Sequence, residues 1–357
     1  MGLQHRLKLA ARDLFARAVW FSGLGRLTDR LGPPRLTILY GHCVADPAVN
    51  GDLAPEMKLS AARLEALLRA LGRRFDLVTI GEGMARLAAG TAERSMVALS
   101  MDDGYVDNLT QLVPLLERTG ARATVFLEAG PVVERRLGWL HTFEWLEQKL
   151  GAPALAELLA EALVAGRAPQ AAVERVRAAR AGGALKRALK YDVPAAPRDT
   201  ALAELAAREG CDPRQLVARL YLDAAGARAL VQSGRIEVGG HTIDHPVLAT
   251  LSAEAQLAEI DGGRQRLAAA LGERAPLETF AYPYGRRWDF DAASVAAAEA
   301  AGFRWAVTTH AGTNTATSDR FRLRRWPIEE RTPLHVLGAE ASGAFEWLRR
   351  LGLDLVE

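Results

Sequence analysis

The stretch that decides the fold of this chain is Val97-Ala98-Leu99-Ser100-Met101-Asp102-Asp103-Gly104-Tyr105. Its apolar part, from Met96 to Met101, predicts a short buried strand, and residues 108–118 predict a helix that ends at Gly120. Two carboxylates at the carboxyl end of a buried parallel strand lie where α/β proteins place their chemistry. Because adjacent carboxylates repel each other, we expect a positive charge beside them, and a metal ion would supply it. Taken alone, the stretch fits a solvated Asp-Asp-Gly turn equally well.

A second cluster, His241-Thr242-Ile243-Asp244-His245-Pro246, follows another apolar stretch at 236–239. Histidines four residues apart in one helical turn point the same way and can share a cation. Two imidazole nitrogens and a carboxylate oxygen form a three-ligand set that leaves a position open for water, as catalytic zinc sites do. Since His-x3-His pairs are common on protein surfaces, the prediction of a metal site depends on the Asp-Asp stretch as well.

Three motifs together resemble those of the polysaccharide deacetylases. They are Ser-Met-Asp-Asp-Gly at 100–104, His-Thr-Ile-Asp-His-Pro at 241–246 and Tyr-Pro-Tyr-Gly at 282–285. The resemblance covers residues 36–132 and 230–330, and the order and spacing of the motifs match apart from a long insert. It implies an α/β fold, a distorted (β/α)7-type barrel with a helical insertion, and the alternating strand and helix patterns also favour a parallel sheet. In such a barrel the motif residues lie at the carboxyl ends of strands.

The resemblance also implies an activity: metal-dependent removal of N-acetyl groups from amino sugars of a polysaccharide, an oligosaccharide or a lipid-linked glycan precursor. The metal ligands would be Asp103, His241 and His245, and the expected divalent ion is zinc. Asp102 would be the base that deprotonates the attacking water. The backbone N–H of Tyr284, which follows Pro283, would donate a hydrogen bond to the oxyanion.

The sequence shows no clear match to the late motif that supplies the general acid in most of the family. In one circularly permuted branch, which this chain resembles in its arrangement, a strand-ending histidine near the N-terminus is the acid. His42, after the predicted strand 36–40, is the candidate. That branch usually has tyrosine where Gly41 stands here, and an ordinary core or surface histidine stays an open alternative.

Another departure concerns an arginine that many members of the family carry two residues before the proline of the third motif, where Ala281 stands here. Arg324 or Arg325 could supply this charge beside the catalytic aspartate, and we favour Arg325. The alternative is that both are surface or phosphate-contacting residues. Trp139 lies in an aromatic-rich segment and could stack on a sugar ring or belong to the core of a junction.

Composition limits the protein class. The chain has 357 residues, of which 49% are hydrophobic and 25% charged, so we expect a packed core. A net charge of +2 gives no reason to expect a nucleic-acid partner. Two cysteines make no disulfide framework and fit reduced thiols in a cytosolic protein. Charged residues interrupt the N-terminal apolar pattern, which argues against a secretory signal, so we expect a cytoplasmic protein, with the inner face of the membrane as a further option.

We expect three parts along the chain. An amphipathic N-terminal helix occupies 1–35, the barrel occupies 36–340 with a helical insert at about 147–232, and a C-terminal helix or tail occupies 341–357. The basic, amphipathic residues 3–24 could contact an anionic membrane face, but we favour a helix packed on the domain. Strands are also predicted at 77–80 and 321–325.

Two other functions fit the same motifs. A deformylase or O-acetyl esterase could use the same scaffold, because the same atoms would hydrolyse either bond. A catalytically silent glycan-binding module is the other alternative. The missing arginine and the altered first motif favour it slightly, whereas the four intact acids and histidines weigh against it.

Overall fold

A computed structural model describes residues 3–45 and 53–350. The strands of this part of the chain are β1 (Leu36–Gly41), β2 (Cys43–Val44), β3 (Lys58–Leu59), β4 (Asp76–Val78), β5 (Met96–Met101), β6 (Ala123–Leu127), β7 (Ile236–Gly240), β8 (Thr279–Ala281), β9 (Trp305–Val307) and β10 (Arg325–Pro327). The helices are α1 (Leu3–Ser22), α2 (Leu24–Leu31), α3 (Ala61–Gly72), α4 (Ile80–Ala88), α5 (Val113–Thr119), α6 (Trp139–Leu150), α7 (Ala152–Ala165), α8 (Gln170–Ala178), α9 (Gly182–Tyr191), α10 (Ala195–Arg208), α11 (Pro213–Leu220), α12 (Ala224–Gln232), α13 (Ala253–Leu271), α14 (Ala292–Ala300), α15 (Leu334–Ala341) and α16 (Ala344–Arg350).

The main sheet is parallel and almost closed into a barrel. Its order is β10-β1-β5-β6-β7-β8-β9, and β4 pairs with the first residues of β5. A parallel bridge from Val307 of β9 to Leu323, just before β10, joins the two ends. The predicted distorted (β/α)7-type barrel is confirmed. All six residues of β5 are buried, as expected for a parallel strand that is covered on both faces.

Two strand predictions are wrong in their bounds. The strand predicted at 77–80 ends at Val78, because the Thr79 side chain accepts a hydrogen bond from the Glu82 N–H and caps α4. The strand predicted at 321–325 begins only at Arg325. Before it, the Asp319 side chain accepts from the Phe321 N–H, which makes a turn of those residues.

The helical insertion has a hydrophobic core of its own. Helices α6 to α10 bury apolar side chains against one another, including Phe143, Leu159 and Leu205. The segment in which helices pack together therefore begins at α6, earlier than residue 147. Helix α12, in contrast, packs on β7 and α13 and so completes the barrel.

The N-terminal helix α1 packs on α15, and Ala16 and Val19 are buried between them. Its other side leaves Leu14 and Phe21 with 71% and 74% of their surface exposed. Helix α2 follows after Gly23, whose φ of 83° is in the left-handed region. None of the described helices combines the length and hydropathy that a membrane span needs. The predicted tail beyond residue 350 lies outside the described residues.

Candidate active site

The candidate site lies where the carboxyl ends of the barrel strands meet. Asp102 and Asp103 follow β5, His241 follows β7, Tyr284 lies on the loop after β8, and His42 follows β1. These side chains line one cavity of about 560 Å³. Residues that are far apart along the chain thus share a single pocket, as the parallel barrel requires.

Asp103, His241 and His245 form a compact group of potential metal ligands. Oδ1 of Asp103 is 3.4 Å from Nε2 of His241 and 3.8 Å from Nε2 of His245, and the two Nε2 atoms are 3.1 Å apart. Ligands about 2.1 Å from one tetrahedral ion lie about 3.4 Å from each other. The three residues therefore fit a divalent ion, and a carboxylate with two imidazoles is a donor set that zinc accepts.

Both imidazoles are prepared to act as ligands. His241 Nδ1 lies 2.7 Å from the carbonyl oxygen of Ala281 and donates to it, which directs Nε2 toward Asp103. Burial lowers the pKa of His245 to about 3, with a further contribution from His241, so His245 is neutral. A neutral imidazole is the form that binds a metal.

Asp102 is held by a buried arginine. Arg325 Nη1 donates to Oδ1 at 2.7 Å and Nη2 donates to Oδ2 at 2.9 Å. Burial alone would raise the pKa of Asp102, but Arg325, together with the imidazoles of His241 and His42, brings it below its usual value. Arg325 also donates through Nε to the Thr308 carbonyl. The carboxylate is therefore ionised and fixed in orientation.

The arginine at this position comes from β10 and not from the third motif, where Ala281 stands. Arg324, the other candidate, is exposed and donates to the carbonyl of Ala311. Two adjacent residues thus differ: Arg324 lies at the surface, whereas Arg325 is fully buried against the Asp102 carboxylate.

The backbone of the site is strained at four positions that bear side chains. Asp103, Thr242, His245 and Tyr284 have φ values of 75°, 65°, 53° and 61°, in the left-handed region. Such conformations cost about 1–3 kcal/mol each and concentrate at functional sites. The histidines therefore converge through a folded-back loop, and the helical turn predicted for 241–245 is wrong.

This loop is held by side-chain hydrogen bonds. Glu259 of α13 accepts from the backbone N–H groups of Ile243 and Asp244, each at 3.1 Å. Thr242 Oγ1 accepts from the N–H of His245 at 3.0 Å. Because local hydrogen bonds replace those of a helix, the loop can keep its left-handed residues.

Tyr284 presents a backbone donor at the site. Among the described residues, none accepts a hydrogen bond from its N–H, while its carbonyl accepts from the Thr309 hydroxyl. Its ring lies against His245, with 4.5 Å between ring centroids, and Pro283, which is buried, precedes it. The left-handed φ turns this peptide away from the ladder of β8, so that the N–H is available to a ligand.

The remaining predicted residues lie at different depths. His42 lines the cavity, and its carbonyl accepts from the Asn108 side chain. Trp139 is buried in the core of the insertion beneath Arg198, whose guanidinium carbon is 4.4 Å from the ring centroid. It does not line the open cavity, whereas Tyr191 does.

Sequence reasoning missed the basic residues of the cavity wall. Lys186, Arg187 and Lys190 of α9 line it, and Arg286 faces them from the loop after β8. Their spacing along α9 is a helical signal, but nothing in the sequence tells which side of the insertion faces the barrel.

The barrel and its ligand group define a class: an α/β barrel with a candidate metal centre beside an arginine-paired carboxylate. The family model for polysaccharide deacetylase matches residues 89–166 and 206–306, half of the chain. The chain belongs to this family of carbohydrate deacetylases. Assignment to its circularly permuted branch stays a prediction. The unmatched residues between the two segments lie in the helical insertion.

Solved structures of deacetylases share the fold. The Streptococcus pyogenes deacetylase PplD, in complex with acetate, aligns with a TM-score of 0.54 and 16% identity, over 87% of this chain and 99% of PplD. BC0361, a polysaccharide deacetylase from Bacillus cereus, gives 0.54 and 14%, over 86% and 69%. IcaB from Ammonifex degensii gives 0.51 and 19%, over 87% and 97%. No curated protein matches the sequence.

Proposed function

We propose that this protein is a zinc-dependent N-deacetylase that acts on an amino sugar of a polysaccharide, an oligosaccharide or a lipid-linked glycan precursor. One observation carries the proposal. A ligand group of Asp103, His241 and His245 lies beside the arginine-paired Asp102, in a chain of the polysaccharide deacetylase family.

The donor set supports the choice of metal. One carboxylate and two imidazoles leave a coordination position open, as in catalytic zinc sites. When bound, a divalent ion supplies Lewis acidity to the amide carbonyl and lowers the pKa of a water.

The side chains around it can perform the proton transfers of amide hydrolysis. Asp102 takes a proton from the attacking water, whose oxygen bonds to the carbonyl carbon. His42, as imidazolium, gives a proton to the nitrogen as the C–N bond breaks, which releases acetate and a free amine. The N–H of Tyr284 donates to the developing oxyanion, and one such donor is worth about 3–4 kcal/mol of barrier.

The position of Arg325 favours an enzyme over a silent binding module. Of the two features that favour lost turnover, the arginine missing at Ala281 is replaced, because Arg325 provides that charge from another strand. A deformylase or O-acetyl esterase would use the same atoms, so products distinguish them.

We also propose a cytoplasmic protein that contacts an anionic membrane surface through α1 and α2. Beside Leu14 and Phe21, α2 exposes Leu24, Leu27 and Leu31. Apolar residues with basic neighbours on one side of a helix support interfacial binding. Flotation with anionic and with neutral vesicles tests this, and equal recovery in both, or none in either, contradicts it.

Metal analysis combined with acetate release tests the catalytic proposal. The purified protein should contain zinc and release acetate, not formate, from N-acetylhexosamine oligosaccharides or lipid-linked sugars. Asp102→Asn should keep the metal and lose at least about 100-fold in kcat. His241→Ala should lose the metal, whereas His335→Ala, a control at a histidine that pairs with Asp13 and does not line the cavity, should lose neither metal nor activity. Full turnover in Asp102→Asn would remove this residue from the base role.

A further inference from the structure

The insertion turns a basic helix face toward the catalytic cavity. Five residues of α9 line the cavity: Gly183, Lys186, Arg187, Lys190 and Tyr191. Their spacing of three and four places them on one side of the helix. The opposite side, with Leu185 and Leu189, packs in the core of the insertion. The charged face of this helix therefore borders the place where a substrate binds.

The two lysines of this face already have acidic partners. Lys186 Nζ lies 2.9 Å from Oε1 of Glu144, and Lys190 Nζ lies 3.2 Å from Oδ1 of Asp289. Lys190 also lies 3.2 Å from the centroid of the Tyr284 ring. Lys190 thus attaches the insertion to the loop that carries the proposed oxyanion donor, whereas Lys186 forms its ion pair within the insertion.

The two arginines have no such partner. Among residues 3–45 and 53–350, no carboxylate forms an ion pair with Arg187 or Arg286. Arg286 is near enough to Lys190 to contribute to the lowered pKa of that ammonium, after burial. Both residues line the cavity, and they come from two different elements, α9 and the loop after β8.

The carboxylates of the same cavity do not neutralise them. Asp102 is paired with Arg325, and Asp103 faces the two histidines. Glu56, which is exposed, is the remaining acid in the described lining. Arg187 and Arg286 therefore offer two guanidinium groups to a ligand in the cavity. Guanidinium binds planar or multidentate oxyanions in preference to neutral groups.

We infer that the substrate is an amino-sugar conjugate that carries a negative charge, a phosphate ester or a carboxylate, bound by Arg187 and Arg286. This inference rests on the proposed deacetylation and adds the substrate class. The basic face lies in residues 182–191, between the segments that match the family model. Arg187 thus belongs to this chain's insertion, whereas Arg286 and the proposed hydrolytic residues 102, 103, 241, 245 and 284 lie in matched segments. A cavity of about 560 Å³ has room for the sugar and its anionic group together.

The test compares matched neutral and anionic substrates with the full-length protein in its metal-loaded form. Amine release is measured with five derivatives of N-acetylglucosamine. The neutral one is the methyl glycoside, and the anionic ones are the 1-phosphate, the uridine diphosphate conjugate, a short-chain polyprenyl diphosphate conjugate and a disaccharide of N-acetylglucosamine with a uronic acid. We expect kcat/KM to be at least about tenfold higher for an anionic member at low salt and the ratio to fall as salt rises. The best anionic member identifies the source of the charge. Equal or better turnover of the methyl glycoside overturns the inference but leaves deacetylation standing, whereas release from no member refutes the proposed function itself.

Variants separate binding of charge from hydrolysis. Arg286→Gln and Arg187→Gln should each lower the anionic-to-neutral ratio of kcat/KM about tenfold, mainly through KM. Arg287→Gln is the matched control, because Arg287 is exposed beside Arg286 and does not line the cavity. If Arg286→Gln and Arg187→Gln both keep the anionic-to-neutral ratio of kcat/KM, with metal content and thermal stability as in the parent protein, the assignment of these arginines is overturned.

Discussion

Replacing Arg325 with methionine tests whether the buried charge pair holds Asp102 ready for catalysis. Arg325 is fully buried, and 6% of the Asp102 side chain is exposed, so no solvent replaces the two hydrogen bonds of 2.7 and 2.9 Å that are lost. A buried carboxylate left without its partner costs about 3–5 kcal/mol. We therefore expect Arg325→Met to lower the free energy of unfolding by about that amount at pH 7.

The pH dependence of this loss identifies its cause. In the parent protein the folded-state pKa of Asp102 is lowered, so the pair contributes stability above the unfolded pKa of about 3.9 and loses it as the pH falls through the folded pKa. In the variant, only the imidazoles of His241 and His42 still oppose burial, and we expect that pKa to rise above the unfolded value. The unfolded state then binds fewer protons, and the variant loses stability as the pH rises. The difference between the two proteins should therefore shrink as the pH is lowered from 7 to 5.

Urea denaturation at several pH values measures this difference, and the pH profile of kcat/KM should show its acid limb displaced to higher pH. Arg324→Met is the matched control, since that side chain is exposed and donates a hydrogen bond to the carbonyl of Ala311. Adding Asp102→Asn to Arg325→Met should recover at least about 1 kcal/mol, because no unpaired charge remains. A loss that is independent of pH, or a double variant less stable than Arg325→Met, would refute the electrostatic reasoning and leave only lost packing.

Three further variants probe the site and its surroundings. Gly104→Ala should destabilise the protein by about 1–3 kcal/mol in urea denaturation, because φ is 84° and the new Cβ would lie 2.6 Å from a methyl carbon of Leu127; an unchanged midpoint contradicts this. Glu259→Ala should weaken metal binding about 10–100-fold in competition with a chelator, since the loop that carries His241 and His245 loses two hydrogen bonds. An affinity like that of the parent protein would show that this loop keeps its conformation without Glu259. Burial lowers the pKa of Lys190 to about 8, so its ammonium is lost above that pH. The unfolded state holds the proton up to a pH of about 10.4, and the free energy of unfolding should rise with pH in this window for the parent protein but not for Lys190→Met.

Sequence reasoning predicts those parts of the molecule that are encoded locally. An apolar run followed by Asp102 and Asp103 specifies a buried parallel strand with acids at its carboxyl end, and the 236–241 stretch repeats the pattern with histidine. All parallel strands of a barrel end on one face. The two local patterns and the fold class together therefore predict that the acids and the histidine lie close to each other. The barrel itself follows from the alternation of elements.

The parts that escape sequence reasoning depend on contacts between distant segments or on single backbone angles. The turn made by Asp319 delays the last strand, and two left-handed residues replace the expected helical turn of the histidine loop. Arg325 could be suggested as a partner of Asp102, but only the closure of β10 onto β1 places it there. Lys186, Arg187 and Lys190 are spaced as on one side of a helix, yet nothing in the sequence tells whether that side of α9 faces the cavity or solvent.

The position of α9 suggests that the barrel and the insertion contribute different groups to the site. Strand ends of the barrel supply the groups that act on the amide in the proposed mechanism, and buried pairs such as Arg325 with Asp102 fix their geometry. The insertion contributes Lys190, which contacts the Tyr284 ring, and Arg187, which has no acidic partner in the described structure. If both halves act on one substrate, exchanging the charges of α9 should change which sugar conjugate is used without changing the pH dependence that Asp102 imposes. A change in that pH dependence would instead mean that the insertion acts on the catalytic groups directly, through the Lys190 contact with Tyr284.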